Sequence, residues 1–319
     1  MSLGTTSLKT KKSSSGVDYL ITGANGQLGR ELQDKLSPLK NVSFEAFSRE
    51  GLDITNPTQL EEAVDKYNPE YIINCAAFTA VDSAESGEGQ KQCEEINHKA
   101  VERLANLAIK YGFKLIHIST DYVFGRREGP ALTEEDETQP LNVYGKTKLL
   151  GEEAIRKALT LKDKNNYLIV RTSSVHGQYG KNFVKTMIRK LLEEDEITVV
   201  GDQIMNPTYA GYLADTILEL NNKGATGTFN VSNTGEISWY DFVLEIRDCL
   251  SQVKPEVMGV IIKRCTSKEF QEKANRLVAD RPEYSAFKLT KLEDFLKKKA
   301  MTWQGGLKEH FNDLGYMVK

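Results

Sequence analysis

The sequence predicts an α/β protein: a doubly wound parallel sheet with a smaller C-terminal α/β lobe. Short apolar runs rich in Val, Ile, Tyr and Phe alternate with amphipathic stretches through the first half of the chain. Each run is too short for a helix and nearly continuous in apolar residues, which is typical of strands covered by helices on both faces. The length of 319 residues exceeds the usual size of one compact core, so a second, smaller lobe is expected.

Strands and helices are expected to alternate regularly up to Arg171. Predicted strands lie at residues 17–22, 42–47, 71–75, 114–119 and 167–171. Predicted helices lie at residues 27–36, 58–67, 93–111 and 143–158, and Asn56 and Pro57 introduce the second one as N-cap and first-turn residue. The later chain predicts helices at 182–193, 209–220, 239–250 and 289–298, and strands at 197–200 and 228–231.

A glycine-rich loop joins the first predicted strand to the first predicted helix. Residues 22–29 read TGANGQLG, a GxxGxxG spacing. Gly23 permits the tight turn, Gly26 lets the backbone approach a pyrophosphate, and Gly29 lets the helix pack closely on the strand. Glycine triplets also occur in purely structural turns, but the position between a strand and a helix favours a dinucleotide site of the Rossmann type.

The end of the second strand bears on the choice of dinucleotide. Arg49 lies about 20 residues after the glycine loop, where the adenosine ribose would lie. An acidic residue there would bind the 2'-hydroxyl, whereas Arg49 can accept a 2'-phosphate, so NADPH is favoured over NADH. A solvated arginine at a strand end is the alternative. Asp53, which is followed by Ile54, either lies beside the adenine amino group of the dinucleotide or stabilises a turn or helix entry.

These observations give a domain division. Residues 1–16 are nearly devoid of apolar side chains and are predicted to be a flexible tail. Residues 17–175 are expected to form the dinucleotide-binding domain, which would also include about 206–234. Residues 176–319 are expected to supply most of a substrate-binding lobe.

Composition argues against several classes of function. A net charge of −3 with 27% charged residues leaves no basic stripe for nucleic acid. No window approaches the roughly 18 apolar residues of a membrane span, and no signal peptide is evident, so a cytoplasmic protein is expected. Four scattered cysteines without CxxC spacing predict reduced thiols. The acidic run at 134–137 is interpreted as a solvated loop, and no metal site is predicted.

Tyr144 and Lys148 are the candidate chemical centre. They stand at i and i+4 near the start of a predicted helix, so their side chains share one face. A cation beside a phenol favours the phenolate, so Lys148 is expected to lower the pKa of Tyr144 and make it a general acid or base. A surface Tyr–Lys pair is the alternative, because a YxxxK pattern is common by chance.

Thr120 strengthens the case for catalysis. It lies in Ser119-Thr120-Asp121, at the carboxyl end of the fourth predicted strand, which is the edge where ligands bind in doubly wound sheets. Its hydroxyl could therefore face the same crevice as Tyr144 and donate to a substrate carbonyl. Capping a helix or closing a turn is the alternative for such residues.

Taken together, these motifs resemble the extended short-chain dehydrogenase family and, within it, the dTDP-4-dehydrorhamnose reductases. The resemblance covers nearly all of residues 17–319. It is carried by TGANGQLG at 22–29, NCAAFTAVDSAE at 74–85, STDYVF at 119–124, PLNVYGKTK at 140–148, RTS at 171–173, and shorter matches around Asn182, Gln203 and Arg281.

The resemblance implies reduction of the 4-keto group of a dTDP-linked 6-deoxyhexose by NADPH or NADH, toward dTDP-L-rhamnose. Tyr144 would supply the proton, Lys148 would hold the nicotinamide ribose, and Thr120 would polarise the carbonyl. The resemblance assigns the cofactor to Gly23, Asn25, Gly26, Gln27, Leu28, Arg49, Asp53, Ile54, Ala76, Ala77 and Lys148. It assigns the nucleotide-sugar to Thr79, Val81, Asp82, Thr120, Asp121, Asn182, Gln203 and Arg281.

Among these, Arg281 also has a physical argument, because a guanidinium binds a diphosphate in a bidentate manner. A salt bridge between the lobes is the alternative. Some family members are described as metal-assisted dimers, so a homodimer is one candidate assembly.

The chain departs from the family pattern at Ser174 and His176, which stand where aromatic residues are usual. A different nucleotide-sugar therefore remains an alternative substrate, for a reductase or an epimerase. A dehydratase is disfavoured because Asp121 is followed by Tyr122 rather than by a glutamate. A non-catalytic subunit that holds a dinucleotide is the alternative from another class, and the joint presence of Thr120, Tyr144 and Lys148 favours an enzyme.

Overall fold

The structure is a computed structural model that describes residues 16–125, 128–160, 166–274 and 276–316. Residues 1–15 of the predicted flexible tail lie outside the described residues. The elements of the first half are β1 (Tyr19–Thr22), α1 (Gln27–Leu36), β2 (Phe44–Phe47), α2 (Pro57–Tyr67), β3 (Tyr71–Asn74), α3 (Val81–Ala84), α4 (Gly87–Glu94), a π-helical turn (Glu95–Lys99), α5 (Ala100–Tyr111), β4 (Lys114–Thr120), a 3₁₀ turn (Asp121–Val123), α6 (Val143–Thr160) and β5 (Tyr167–Thr172).

The second half contains shorter strands between its helices. Its elements are β6 (Val175–His176), α7 (Phe183–Glu193), β7 (Glu196–Val200), β8 (Ile204–Met205), β9 (Thr208–Tyr209), α8 (Ala210–Asn222), β10 (Gly227–Asn230), β11 (Ile237–Ser238), α9 (Trp239–Ser251), a 3₁₀ turn (Pro255–Gly259), β12 (Ile261–Cys265), α10 (Ser267–Lys273), α11 (Thr290–Leu296) and α12 (Trp303–Asp313).

The central sheet confirms the predicted fold class. Six strands pair in the order β10-β5-β4-β3-β1-β2, and every pairing is parallel. Alternate residues of the strands enter two separate cores: Ile21 and Ile73 pack with residues of α1 and α8, whereas Leu20 and Ile72 pack with residues of α2, α5 and α6. Helices thus cover both faces, as near-continuous apolar strands require.

A third apolar core lies among elements of the later chain. It joins residues of α7, α9 and α12 to β7, and β7 pairs with β12 in parallel. The predicted division into a dinucleotide-binding domain and a substrate-binding lobe, with its boundary at 175/176, stays a prediction. Within the described ranges, no helix is both long and apolar enough to cross a membrane.

The local predictions differ from the structure in two instructive places. The helix predicted at 93–111 is interrupted by the π-helical turn Glu95–Lys99, which begins where α4 ends. Helix α12 was not predicted, because its first turn contains Gly305 and Gly306 and therefore has low helix propensity. The Thr302 side chain accepts from Gly305 N and caps this helix.

Candidate active site

A cavity of about 540 Å³ opens at the carboxyl ends of β1, β2 and β3. This is the edge at which ligands bind in doubly wound sheets. Its wall comes from the glycine loop, from the segment after β2 and from the segment after β3. The lining residues include Gly23, Gly26, Gln27, Leu28, Gly29, Arg49, Asp53, Ile54, Ala76, Ala77 and Thr79. Asn25 is exposed and is not among them.

The glycine loop has the geometry of a phosphate cradle. Gly23 has φ +70°, and a Cβ on it would lie 2.7 Å from Ala76 N. A Cβ on Gly29 would lie 2.3 Å from the Gly23 carbonyl oxygen. Gly26 is the N-cap of α1 and offers no side-chain cap, so the first N–H groups of that helix are left for an anion. These features fit the pyrophosphate of a dinucleotide.

Arg49 and Asp53 stand together on the wall of this cavity. The Arg49 side chain is 71% exposed, and its Nε lies 3.7 Å from Asp53 Oδ2. Asp53 Oδ1 accepts from the backbone N and the hydroxyl of Thr55, so this carboxylate shapes the turn before α2, the alternative considered for it. Because Arg49 is largely exposed and lines the cavity, its guanidinium keeps donors that a ligand in the cavity could use.

A second cavity, of about 280 Å³, adjoins the first at Thr79, which lines both. It brings together side chains from several segments: Val81, Thr120, Asp121, Tyr122, Tyr144, Ser174, His176, Phe183, Trp239 and Phe242. Thr120 and Tyr144, predicted from separate motifs, therefore share one cavity. The Asn142 side chain accepts from Gly145 N at 2.8 Å and holds the first turn of α6 that carries Tyr144.

The side chains of Thr120 and Tyr144 line the same cavity, and the Thr120 hydroxyl acts to lower the pKa of the Tyr144 phenol. Thr120 Oγ1 accepts from Tyr122 N at 3.2 Å and donates to Asp121 Oδ1 at 3.0 Å. Thr120 therefore caps the 3₁₀ turn after β4 and presents its hydroxyl to the cavity at the same time. Burial raises the pKa of Tyr144, and the nearby Asp121 raises it further, so its phenol keeps its proton at neutral pH.

The expectation that Lys148 lowers the pKa of Tyr144 is wrong. Lys148 is buried, and its Nζ lies 3.1 Å from His117 Nε2 and 2.5 Å from the Ile118 carbonyl oxygen. The i, i+4 spacing places both residues on one side of α6, but the long lysine side chain turns to β4. Burial lowers the pKa of Lys148 to about 8.

Several buried polar residues near this centre were missed by sequence reasoning. His117 Nδ1 lies 3.1 Å from Asn74 Nδ2, and Thr22 Oγ1 donates to Asn74 Oδ1 at 2.6 Å. Asn97, in the π-helical turn, binds the backbone of Phe78. No local period signals such contacts, because each joins distant segments; a polar residue inside an otherwise apolar strand is the one available clue.

Asp121 is held in a polar pocket at the base of the second cavity. Its Oδ2 accepts from the hydroxyls of Ser173 at 2.9 Å and Ser285 at 2.7 Å. Burial raises the pKa of Asp121, although these hydrogen bonds oppose the shift. The carboxyl group is thereby fixed beside Thr120.

The remaining predicted substrate residues do not line either cavity. Arg281 donates to Asp82 Oδ1 at 2.7 Å, the ion pair considered as its alternative, and Arg276 also binds Asp82. Asn182 caps α7 and donates to Gln27 Oε1, and Gln203 donates to Ser267 Oγ. Their contacts with a nucleotide-sugar stay a prediction.

Ser174 and His176, which stand where the family usually has aromatic residues, line the second cavity. Ser174 has φ +48°, and His176 is buried with its Nδ1 3.1 Å from His310 Nδ1. Phe183 and Trp239, whose ring centroids are 4.2 Å apart, line the same cavity. Other elements therefore supply the aromatic surface that Ser174 and His176 lack.

Among described residues, no group of three or more His, Cys, Asp or Glu is placed to hold a metal ion.

A parallel sheet with a glycine-loop cavity and an adjoining cavity lined by Thr120 and Tyr144 defines an NAD(P)-dependent oxidoreductase of the extended short-chain dehydrogenase type. The sequence matches the family described as RmlD substrate binding domain over residues 17–316, and the chain belongs to that family.

Sequence relatives support the same assignment. The chain is 37% identical over 295 residues to dTDP-4-dehydrorhamnose reductase of Aggregatibacter actinomycetemcomitans, covering 91% of this chain and 96% of that protein. It is 36% identical to the enzyme of the same name from Escherichia coli K12, covering 93% of this chain and 98% of that protein.

A solved structure of dTDP-4-dehydrorhamnose reductase from Bacillus anthracis, in complex with NADP, is similar to this fold with a TM-score of 0.84. The two are 38% identical, over 93% of this chain and 99% of that chain. A dTDP-glucose 4,6-dehydratase of the same organism, with a TM-score of 0.76 and 18% identity over 94% of this chain and 97% of that chain, shares the fold.

Proposed function

We propose that this protein is a dTDP-4-dehydrorhamnose reductase that uses NADPH to reduce the 4-keto group of a dTDP-linked 6-deoxyhexose, in dTDP-L-rhamnose biosynthesis. One observation carries the proposal: Thr120 and Tyr144 meet in a cavity that adjoins the glycine-loop cavity at Thr79. Sequence identity of 37% to a dTDP-4-dehydrorhamnose reductase supports this choice of substrate.

Tyr144 is proposed as the acid. NADPH, when bound, supplies a hydride to the carbonyl carbon, and the oxygen then needs a proton. Burial raises the pKa of Tyr144, so the phenol arrives with its proton in place. The developing alkoxide is more basic than a phenolate, and a short path through one hydrogen bond favours transfer.

Thr120 is proposed to orient this transfer. Its hydroxyl shares a cavity with Tyr144, acts on the pKa of that phenol, and is held in place by Tyr122 N. A donor fixed before the reaction stabilises charge that develops on the carbonyl oxygen without reorganising. Asp121 lies behind Thr120 and is proposed to contact the sugar or to hold Thr120 in place.

The cofactor is proposed to lie across the first cavity. The glycine loop with Gly23, Gly26 and the start of α1 would bind the pyrophosphate, and Ala76 and Ala77 would border the nicotinamide half. Arg49, exposed on the cavity wall, would bind the 2'-phosphate of NADPH. Lys148 would donate to the nicotinamide ribose.

The nucleotide-sugar is proposed to enter the second cavity. Thr79 and Val81 line it beside Thr120, and the rings of Phe183 and Trp239 offer an apolar surface. Asp82, Asn182, Gln203 and Arg281 would approach the nucleotide after rearranging their present hydrogen bonds. Arg281 would exchange Asp82 for a diphosphate, because both present paired oxygens to the guanidinium.

The same proposal includes a cytoplasmic location and a homodimeric assembly. The four cysteines in the described chain are free thiols, which accords with a cytoplasmic enzyme. A homodimer is proposed from family resemblance, and sedimentation would test it.

The decisive experiment follows NADPH absorbance with freshly prepared dTDP-4-dehydrorhamnose. Matched reactions contain dTDP-4-keto-6-deoxyglucose, or UDP- and GDP-linked 4-keto sugars. The proposal expects turnover with the rhamnose precursor to exceed the others at equal concentration, and a dTDP-linked 4-hydroxy product. Preference for a UDP- or GDP-linked sugar would reject the substrate assignment, and absence of turnover with every sugar would favour a binding subunit.

A further inference from the structure

Four buried polar side chains form a continuous chain from the glycine loop to α6, which we call the polar chain: Thr22, Asn74, His117 and Lys148. Thr22 is paired with Asn74, and Asn74 with His117, in register across β1, β3 and β4. Residues paired in this way point to the same face of a sheet. None of the four is more than 1% exposed.

His117 is the member of the polar chain that touches Lys148. Its Nε2 lies 3.1 Å from Lys148 Nζ, and Nζ also donates to the Ile118 carbonyl oxygen at 2.5 Å. These are the two hydrogen-bond partners of Nζ among the residues that the structure describes. Because the bonds of a tetrahedral nitrogen have fixed relative directions, two partners determine where its remaining position points.

The polar chain also links the position of the His117 ring proton to the charge of Lys148. Burial, followed by the nearby Lys148, keeps the pKa of His117 well below its usual value, so its ring is neutral and carries one proton. Asn74 Nδ2 is a donor and faces His117 Nδ1, so Nδ1 is the acceptor and the single ring proton lies on Nε2, which points at Lys148 Nζ. If Lys148 is a neutral amine, its Nζ can accept this proton. If Lys148 is an ammonium, Nζ can only donate, so His117 must carry its proton on Nδ1 and the Asn74 amide must turn its oxygen toward His117.

Lys148 is poised between these two forms. The titratable groups that face it are Glu152, which raises its pKa from one turn along α6, and the thiols of Cys93 and Cys75, besides His117. Burial outweighs them and lowers the pKa of Lys148 to about 8. Both forms are therefore populated near neutral pH.

We propose that His117 is a positioning residue that aims Lys148 and links its charge to the orientation of Asn74 and Thr22. The proposal rests on the role given to Lys148 in the proposed function. When the cofactor binds, the remaining position of Nζ meets a ribose hydroxyl, and His117 keeps the lysine from swinging away. Nothing in the reaction requires His117 to touch the substrate or the cofactor.

Two substitutions separate this role from packing. His117→Leu removes both ring nitrogens, whereas His117→Gln keeps an amide that can reach Nζ. For the leucine variant we expect the Kd of NADPH to rise about fivefold, the value of one lost hydrogen bond. Its kcat should fall about 10- to 100-fold because Lys148 is misplaced, with little change in the KM of the sugar. For His117→Gln, we expect both the Kd of NADPH and kcat to stay close to the wild-type values.

The matched control is Ile169→Val. Ile169 is buried beside His117, its register partner on β5, and the variant removes one methylene without touching a polar group. It should keep the wild-type Kd and kcat. If His117→Leu behaves as this control does, His117 is a packing residue and the proposal is overturned.

Nitrogen NMR of histidine-labelled protein tests the coupling directly. The chain has four histidines, and the His117→Gln spectrum identifies the signals of His117. We expect a singly protonated ring whose tautomer ratio changes as pH passes through the Lys148 pKa of about 8, and no such change in Lys148→Met. A doubly protonated ring, or a tautomer indifferent to Lys148, would overturn the proposal.

These measurements distinguish the two proposals from each other. NADPH titration and the NMR spectra need no sugar, so they decide the role of His117 even if the wild-type protein reduces none of the sugars tested. If His117→Leu does not fold, the NMR comparison of wild type with Lys148→Met still decides.

Discussion

Asn97 holds the backbone of Phe78 by both ends of its amide: Oδ1 accepts from Phe78 N at 2.9 Å, and Nδ2 donates to Phe78 O at 3.0 Å. The π-helical turn Glu95–Lys99 carries Asn97, and Phe78 belongs to the segment that lines the first cavity after β3. Irregular turns of this kind often mark functional sites. Here the turn places Asn97 so that its side chain holds the loop after β3.

Replacing Asn97 tests this link. Asn97→Ala should lower the free energy of unfolding by about 1–3 kcal/mol, because two backbone groups lose their partner. It should also raise the Kd of NADPH, because the Ala76–Ala77 wall loosens. Urea denaturation and cofactor titration measure both. Leu104→Ala, buried in α5 away from the cavity, should lower stability while the Kd stays unchanged. An unchanged Kd in Asn97→Ala would show that the loop holds its shape unaided.

Arg49 provides a test of cofactor choice. Its guanidinium is exposed on the wall of the first cavity, with one long contact to Asp53. Arg49→Ala should weaken NADPH binding about tenfold or more, the scale of a charge-assisted hydrogen bond, and leave NADH binding nearly unchanged. Fluorescence titration with both cofactors measures this, and Arg30→Ala, an arginine stacked on Tyr179 instead, is the control. Equal losses with both cofactors would assign Arg49 a structural role.

The buried carboxylate of Glu152 should make the free energy of unfolding depend on pH. Its carboxylate is buried and binds Arg171 Nη2 at 2.8 Å and Arg156 Nη2 at 2.5 Å. Burial acts to raise the pKa of Glu152, but the two arginines prevail and hold it below its usual value. A carboxyl whose pKa is lower in the folded state stabilises the protein above the unfolded pKa, and that contribution is lost as pH falls through the folded pKa.

Glu152→Gln should therefore cost about 3–5 kcal/mol at pH 7, because Arg171 is left buried without its partner. The difference from wild type should shrink as pH falls below the ordinary glutamate pKa and should disappear once pH passes the lowered pKa of the folded carboxyl. Urea denaturation at several pH values measures the difference. Glu153→Gln, at the exposed neighbouring position, should change little at any pH. A difference that is constant with pH would contradict the assigned ion pair.

Local patterns in the sequence were sufficient for the glycine loop and for placing Tyr144 and Lys148 on one helix. Both features depend on residues within a few positions of each other, and helix and strand periods report such spacing. The direction of the Lys148 side chain was not accessible in this way. Its partner His117 is 31 residues away, and His117 meets Asn74 across 43 residues. Such contacts depend on strand order, which single-sequence patterns do not report.

The last prediction treats Tyr144, Thr120 and Lys148 as one unit. Tyr144→Phe removes only the proposed proton donor, so kcat should fall about 100-fold or more while the Kd of NADPH barely changes. Thr120→Val should mainly lower kcat, because its hydroxyl acts on charge that develops in the transition state. Lys148→Met should reduce kcat and NADPH affinity together. Steady-state kinetics and cofactor titration separate the three patterns, and near-normal turnover by Tyr144→Phe would require another proton source in the second cavity.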